Sequence, residues 1–266
     1  MKTMGFIGCG NMGSAILSSV ARHDLWKILA YDVRSEIAEA LAERTGTQAC
    51  SLHELLSASD IIVLGVKPQI LPHLYGQLRS CSSTMWISMA AGVALETLAD
   101  QLGSTEVARI MPNIGASVQK SVTAVAVHPE ASEKLNPVVT QFAQCFGAVH
   151  PLDESLFSAF IGVSGSAIAS ALEYLHGIAM GGVHEGLSYV QSLALICDTV
   201  ESATALLRES KRHPQELITQ VCSPAGTTVK MMQVLYEHGF SGILMEAVEE
   251  AGQGALLMEE RARNAQ

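Results

Sequence analysis

The chain has 266 residues, of which 48% are hydrophobic and 16% are charged, and its formal net charge is −10. This length is sufficient for two domains with separate cores, and so apolar a composition predicts that a partner subunit covers part of the surface. The negative charge disfavours nucleic-acid binding, and the longest uninterrupted apolar runs are too short to span a membrane. The six cysteines show no metal-ligand spacing and the first residues lack the apolar stretch of a signal peptide, so we expect a cytoplasmic protein without a metal.

The first part of the chain, up to about residue 150, alternates short apolar runs with amphipathic segments. This pattern is typical of βαβ units and a parallel sheet. We predict strands near residues 3–8, 26–31, 60–66, 84–89, 106–111, 122–128 and 146–150. The segments 11–22 and 35–44 have apolar residues at helical spacing and predict crossover helices.

After Pro151 the β-branched runs give way to long segments rich in Ala, Leu, Met and Glu. Such segments favour helices. We predict helices at about 153–161, 165–185, 189–210, 214–221, 227–238 and 240–262. The sequence therefore predicts an α/β protein with a sheet domain over residues 1–150 and a helical domain over residues 151–266.

A glycine-rich motif, GxGxxG, stands directly after the first predicted strand and opens the first predicted helix. Its glycines permit a tight turn, a close approach of the backbone to a pyrophosphate, and close packing of helix on strand. The motif predicts a Rossmann domain that binds a dinucleotide. The predicted cofactor-binding residues in the motif are Gly8, Gly10, Asn11, Met12 and Gly13.

The end of the second predicted strand bears on the choice of cofactor. Asp32 stands about 20 residues after the motif, where a carboxylate accepts hydrogen bonds from the adenosine ribose hydroxyls, and this position favours NADH. Arg34 follows and could instead contact the 2′-phosphate of NADPH. The cofactor is therefore predicted as NAD(P)H, with Asp32 favouring NADH.

The strand at residues 60–66 ends in Val66, Lys67 and Pro68. Ligands of open α/β sheets bind at the carboxyl ends of the strands, so these residues are predicted to contact the cofactor. The alternative is an ordinary surface lysine before a helix that begins at Pro68.

Short motifs are spread along the whole chain: GFIGCGNMG (5–13), VKP (66–68), SMAAGV (88–93), MPN (111–113), VSGS (163–166), HP (213–214), CSPAGTT (222–228), and GF with MEAVEEA (239–240, 245–251). Together, in this order and spacing, they resemble the pyrroline-5-carboxylate reductase family. The resemblance implies a Rossmann domain followed by an all-helical dimerisation domain, and reduction of 1-pyrroline-5-carboxylate, a small cyclic imino acid, to proline by NAD(P)H. It also implies a homodimer, with a ring of dimers as the higher assembly.

A loop rich in hydroxyl groups, residues 222–228, separates two predicted helices. Alone it would fit an ordinary capped helix start, but a helix N-terminus there could also bind a carboxylate. The resemblance implies that Thr228 is catalytic and lies near the imine nitrogen. It implies the same role for Ser166, although a serine at a helix start is more often a cap. The implied substrate-binding residues are Ser223, Gly226, Thr227 and Thr228.

Three differences from the family's motifs fall near this implied site. MPNTP becomes MPNIG through Ile114 and Gly115, SGSGPAY loses its proline and tyrosine at Ile168 and Ser170, and SPGGTT becomes SPAGTT through Ala225. Ala225 is strained if the family's glycine has a positive φ. Because the glycine motif is intact, these changes indicate altered substrate preference more than lost dinucleotide binding.

Three hypotheses about function follow: a true pyrroline-5-carboxylate reductase, a paralogue that reduces a related cyclic imine, and a non-catalytic NAD(P)-binding regulatory protein. A β-hydroxyacid dehydrogenase also combines a similar glycine motif with helical dimers. That enzyme needs a lysine base on a helix, and the second half offers only Lys211, beside a helix break, and Lys230.

Overall fold

The computed structural model describes residues 1–79 and 84–264, with side chains up to residue 260. Contacts divide the chain into two compact units: Met1–Gly165 together with the chain from Ala251 onward, and Ser166–Glu250. The second unit is therefore inserted between two parts of the first. The domain boundary between residues 150 and 151 stays a prediction from the sequence.

The described part of the first unit contains a sheet of eight strands with six helices between them. The strands are β1 Thr3–Ile7, β2 Lys27–Tyr31, β3 Gln48–Ala49, β4 Ile61–Leu64, β5 Met85–Ser88, β6 Val107–Met111, β7 Ser121–Val127 and β8 Gly147–Pro151. The helices are α1 Asn11–Ala21, α2 Ser35–Thr45, α3 Leu52–Ala58, α4 Leu71–Leu78, α5 Leu95–Leu102 and α6 Leu135–Gln144. The Rossmann fold class is confirmed.

The strand order is β3-β2-β1-β4-β5-β6-β7-β8, and all neighbours are parallel except β6 and β7. The sheet is therefore mainly parallel, as predicted, and the pair β6 and β7 is the exception. Only nine residues, 112–120, connect the two strands, and they hold a short 3₁₀ helix, Ile114–Val118. A parallel crossover needs a dozen or more residues, so this connection reverses the chain direction.

The hydrophobic core lies on both faces of the sheet because strand side chains alternate between faces. Phe6 packs in one cluster with residues of α1 and α6, including Ile16 and Phe142. Ile7, its neighbour in β1, packs in the other cluster with Trp86. The middle strands are therefore buried on both faces, which explains their continuous apolar sequences.

The helices of the second half lie close to the predicted positions: α8 Ala167–His184, α9 Tyr189–Ser210, α10 Pro214–Val221, α11 Thr227–Glu237 and α12 Phe240–Asn264. The predicted helix at 153–161 is the exception. It is divided into a 3₁₀ turn, Glu154–Leu156, a short helix α7, Phe157–Phe160, and a π-helix, Ile161–Gly165. Short π-helical segments of this kind are frequent at functional sites.

The second unit buries very little within one chain. Of its side chains, Ala179, Ser192 and Ile196 are buried, whereas many large apolar side chains are exposed, among them Val190 at 78% and Met245 at 73%. A stable helical unit needs its apolar faces covered. The exposed faces therefore indicate an interface with another subunit.

Two helical stretches of this region have a length and composition that bear on membrane spanning. Glu154–His184 and Tyr189–Ser210 are long and apolar enough to cross a membrane, by length and composition only. The sequence expectation concerned uninterrupted apolar runs, whereas these two helices also contain polar residues. One or two such helices are weak evidence for a membrane, since apolar helices at a subunit interface have the same composition.

Arg109, in the middle of β6, is buried with 2% of its side chain exposed. Its Nη1 donates to Glu154 Oε1 at 2.8 Å and its Nη2 to Glu259 Oε1 at 2.7 Å. The guanidinium also stacks 5.0 Å from the ring centre of Phe157. Two carboxylates and an aromatic face thus compensate a charge that would otherwise be buried alone.

We expect Glu154→Ala to lower the free energy of unfolding by about 2 kcal/mol, because it removes one partner of a buried charge. The Leu95 N–H, which donates to the same oxygen at 2.9 Å, loses its acceptor too. Urea denaturation followed by circular dichroism measures the loss. The exposed Glu133→Ala is the control and should change little, and equal stability of both variants would contradict the role of Glu154.

Candidate active site

The dinucleotide motif forms the tight turn between β1 and α1. Gly8 has a φ of +99°, which L side chains rarely adopt, and its N–H donates to Tyr31 O at 2.8 Å. A Cβ atom at Gly13 would lie against the carbonyl oxygen of Gly8. The close packing of α1 on β1 therefore requires glycine at both positions.

The N-terminus of α1 is open to an anion. Its N-cap residue is Gly10, which offers no capping side chain, and nothing lies within 4 Å of a Cβ built on Gly10. The first turn, which includes Asn11 and Met12, thus presents backbone N–H groups at the positive end of the helix dipole. This open cradle fits the pyrophosphate of a dinucleotide.

Asp32 lies at the carboxyl end of β2 and is held by backbone groups. Its Oδ2 accepts from the Cys9 N–H at 2.8 Å, and its Oδ1 accepts from the Arg34 N–H at 3.0 Å. Asp32 thus ties the turn before α2 to the glycine motif. Arg34 itself is exposed and precedes the first residue of α2. The structure brings both predicted residues to the β1–α1 turn.

Cys9 stands inside the motif but is not a nucleophile. Burial and, to a lesser degree, the Asp32 carboxylate raise the pKa of the Cys9 thiol to about 12. The thiol is therefore neutral at physiological pH, and only a thiolate attacks readily.

Val66, Lys67 and Pro68 follow β4, whose end is in register with that of β1. Val66 Cγ1 lies 2.8 Å from the position of a Cβ on Gly8, so Val66 packs on the glycine turn. Lys67 is exposed and is the N-cap of a 3₁₀ turn that begins at Pro68. No ion pair of Lys67 occurs among the described residues. All three residues lie at the carboxyl ends of the strands, beside the glycine motif.

Asn113 is buried at the end of β6, and the sequence alone did not single it out. Its Oδ1 accepts from the N–H groups of Gly115 at 3.1 Å and Val122 at 3.2 Å, and its Nδ2 donates to Ser164 Oγ at 3.1 Å. Asn113 thus fixes the turn after β6 to the π-helix Ile161–Gly165. The available signal was an amide residue two positions after a buried strand, within the MPN motif.

Ser166 follows this π-helix directly and is the N-cap residue of α8. Its side chain is exposed and makes no capping hydrogen bond. A serine in this position usually caps the helix through its hydroxyl. That ordinary role is not used here, so the hydroxyl is free for another partner.

The hydroxyl-rich loop leads into α11. Gly226 is the N-cap and has no side-chain cap, and its N–H donates to Ser223 O at 3.0 Å. Thr227 and Thr228 form the first turn of α11, with Thr228 partly buried. The turn thus offers free backbone N–H groups and two hydroxyls in one place. This arrangement suits a carboxylate.

Ala225, in the same loop, has a φ of +60°. This left-handed conformation costs an L residue about 1–2 kcal/mol, whereas glycine adopts it without steric cost. The sequence predicted strain at Ala225 if this position has a positive φ, and it does. The loop keeps this shape although the side chain opposes it.

We expect Ala225→Gly to raise the free energy of unfolding by about 0.5–1 kcal/mol, because relief of strain exceeds the added entropy of the unfolded chain. Urea denaturation measures the change. The matched control is Ala205→Gly, in the middle of α9, which should be destabilising by about 1 kcal/mol. A loss of stability in both variants would show that Ala225 is not strained.

The other departures have local explanations. The Gly115 N–H donates to Asn113, which a proline could not do, and a Cβ at Gly115 would lie 2.6 Å from Lys120 O. Ile114 is exposed beside it. Ile168 is in the first turn of α8, and Ser170 Oγ donates to Ala167 O at 3.0 Å. Glycine is thus required at position 115, whereas the exposed Ser170 makes only a hydrogen bond within its own helix.

Metal chemistry has no support among the described residues. No group of three or more His, Cys, Asp or Glu side chains is placed there to hold an ion. The described cysteines are free thiols, and Cys81 lies outside the described residues.

The fold and the glycine turn define a Rossmann-type NAD(P)-dependent oxidoreductase. Residues 3–92 match the family model described as NADP oxidoreductase, coenzyme F420-dependent, and residues 154–257 match the pyrroline-5-carboxylate reductase dimerisation model. A pyrroline-5-carboxylate reductase of Aquifex aeolicus is 32% identical over 255 residues, which cover 95% of this chain and 96% of the relative. The chain belongs to the pyrroline-5-carboxylate reductase family.

Two further comparisons agree. The Escherichia coli pyrroline-5-carboxylate reductase is 32% identical over 254 residues, which cover 93% of this chain and 94% of that protein. The crystal structure of the Streptococcus pyogenes 1-pyrroline-5-carboxylate reductase has a TM-score of 0.84 at 27% identity and covers 96% of this chain and 98% of its own. The match to the dimerisation model makes this chain a subunit of a homodimer or larger oligomer.

Proposed function

We propose that the chain reduces 1-pyrroline-5-carboxylate to proline by hydride transfer from NAD(P)H. The observation that carries the proposal is the family match over nearly the whole chain, including both the glycine turn and the threonine loop. In each of these segments a glycine is the N-cap of a helix that lacks a capping side chain. One segment suits a pyrophosphate and the other a carboxylate.

The threonine loop is proposed to hold the substrate. The free N–H groups at the start of α11, with the hydroxyls of Ser223 and Thr227, would donate hydrogen bonds to the carboxylate of the imino acid. Thr228, in the same turn, would place its hydroxyl at the imine nitrogen. Ser166 is proposed as a second hydroxyl at the substrate, because its side chain is not used as a cap.

Little acid catalysis is needed for this reaction. A cyclic imine is readily protonated, and its C=N carbon is then electrophilic, so orientation supplies most of the acceleration. When bound, NAD(P)H would supply a hydride to the imine carbon, and the nitrogen would keep its proton. The proposed work of Thr228 is to hold the ring and that proton in place.

We also propose that the homodimer assembles into a ring of dimers and that the protein is cytoplasmic. The exposed apolar faces of the second unit support extensive contact between subunits. The free thiols among the described cysteines are usual for a reducing compartment. Light scattering during gel filtration tests the assembly, and a mass of two subunits would restrict it to the dimer.

The first experiment is NADH and NADPH oxidation by purified protein with DL-pyrroline-5-carboxylate, run beside the six-membered imine homologue. We expect rapid turnover of the five-membered substrate. Preferred turnover of the six-membered ring would instead assign a related imine, which the missing aromatic ring at Ser170 favours. Heat stabilisation by NAD(P)H without turnover of either imine would assign a non-catalytic binding protein.

A further inference from the structure

A buried network of polar side chains lies where β6 ends and β7 begins. Its members are Asn113, Ser121, Thr123 and Ser164, none of them more than 7% exposed. The Asn113 N–H donates to Ser121 Oγ at 3.1 Å, and the hydroxyls of Ser121 and Thr123 lie 3.0 Å apart. Buried polar groups are costly unless they are paired, so a network of this kind favours one arrangement of the segments that it joins.

The side-chain amide of Asn113 has one orientation that satisfies its neighbours. Its Oδ1 accepts from the N–H groups of Gly115 at 3.1 Å and Val122 at 3.2 Å, which an amide nitrogen could not do. Nδ2 therefore points to Ser164, where it donates to Oγ at 3.1 Å and lies 3.5 Å from the carbonyl oxygen. The position thus requires an acceptor and a donor on one short planar group. Aspartate would lack the donor and alanine both.

The segment that Asn113 contacts has a rare backbone conformation. Ser164 belongs to the π-helix Ile161–Gly165 and is buried, whereas its neighbour Val163 is 66% exposed. Rare backbone conformations persist where the surrounding structure holds them. Ser166 is bonded directly to the last residue of this π-helix, so the contact with Asn113 lies only two positions before the hydroxyl of Ser166.

The strand order places Asn113 on the nicotinamide side of a bound dinucleotide. The adenosine ribose lies at the end of β2, and a dinucleotide crosses the point between β1 and β4 where the strand order reverses. Its nicotinamide half would therefore lie toward the carboxyl ends of β4, β5 and β6. Asn113 follows the last residue of β6 by two positions.

We propose that Asn113 is a positioning residue for imine reduction. Through Ser164 it holds the π-helix Ile161–Gly165 against the end of β6, and this contact fixes the backbone from which the Ser166 hydroxyl reaches the substrate. Asn113 itself touches neither the imine nor the cofactor in this assignment. The inference rests on the proposed function, in which Ser166 supplies a hydroxyl, and deepens it by naming the residue that fixes this hydroxyl.

Steady-state kinetics of Asn113→Ala and Ser164→Ala with pyrroline-5-carboxylate test the assignment. We expect kcat to fall by about 30-fold in Asn113→Ala and by about tenfold in Ser164→Ala, because a displaced hydroxyl orients the imine poorly. The dissociation constant of NADPH should change by less than about twofold, since neither side chain belongs to the glycine turn. Ser164→Ala removes a single hydroxyl and carries the test alone if Asn113→Ala does not fold.

A double-mutant cycle with Ser166 separates positioning from general stability. In a Ser166→Ala background, the same two substitutions should change kcat by less than about twofold, because the hydroxyl that they displace is already absent. Losses of kcat that multiply with that of Ser166→Ala would overturn the proposal. The control Ser19→Ala removes another buried hydrogen bond to the same turn, from Ser19 Oγ to Ala116 O at 2.9 Å. It should lower the melting temperature and keep kcat.

Hydrogen exchange measured by mass spectrometry decides the inference separately from the proposed function. Exchange of the backbone amides of residues 161–166 should become at least about tenfold faster in Asn113→Ala and Ser164→Ala and stay unchanged in Ser19→Ala. If the unaltered protein reduced neither imine, the proposed function would fail, and faster exchange in these two variants would still show that Asn113 holds the π-helix. Unchanged exchange in both variants would overturn the inference even if pyrroline-5-carboxylate were reduced.

Discussion

Replacement of Gly13 by alanine is expected to weaken dinucleotide binding by at least about 100-fold. The added methyl group would meet the carbonyl oxygen of Gly8, which is backbone and cannot move aside without opening the turn. The first turn of α1 would then shift, and its N–H groups would no longer point at the pyrophosphate. Fluorescence titration with NADPH measures the affinity.

Two further glycine variants separate this effect from misfolding. Gly10→Ala adds a methyl group where nothing lies within 4 Å, so the fold should persist while the methyl group occupies the phosphate cradle and weakens binding by about tenfold. Gly76→Ala, on the exposed side of α4, should keep the affinity and raise stability slightly. Normal NADPH affinity in Gly10→Ala would show that the cradle is not used.

The second large effect is expected at Thr228. Thr228→Ala should lower kcat for imine reduction by roughly 100-fold, because the hydroxyl that orients the imine nitrogen is lost. The affinity for NADPH should stay the same, since Thr228 is in the first turn of α11 and the dinucleotide motif is at the start of α1. Steady-state kinetics with pyrroline-5-carboxylate measure the change.

Thr228→Ser keeps the hydroxyl and should retain most of kcat. If Thr228 acted only through its β-branched shape, this variant would lose kcat as well. Thr204→Ala removes a hydroxyl that donates to the backbone of α9 and is the control for loss of a helical threonine. Full activity of Thr228→Ala would remove Thr228 from the mechanism.

Much of the fold could be predicted because it is encoded locally. The glycine motif predicted the turn, the helix start and the crossover helix α1. Strain at Ala225 was predicted on the condition of a positive φ, and its φ is +60°. The short strand Gln48–Ala49 could not be predicted, since two residues carry no period and pair only because β2 lies beside them. The antiparallel pair β6 and β7 could have been predicted from its connection of nine residues.

The candidate site was predictable where motifs lie within one segment and not where distant segments meet. Asn113 and Ser164 are 51 positions apart, and their hydrogen bond exists only in the folded chain. The carboxylate of Asp32 illustrates the same limit. Its position at the end of a strand predicted a ribose contact. The hydrogen bonds that it accepts from the N–H groups of Cys9 and Arg34 depend on two turns, the one after β1 and the one before α2.

The bond between Arg109 and Glu259 joins residues 150 positions apart in the sequence, because the last helix returns to the first unit. On the ribosome, Glu259 is made after the whole second unit, so of its two carboxylate partners Arg109 has only Glu154 while that unit is synthesised. The sheet can form early, but the pairing of Arg109 with Glu259 can form only after residues 166–250 have been synthesised. Translation order thus makes the docking of α12 a later step than the formation of the sheet in the first unit.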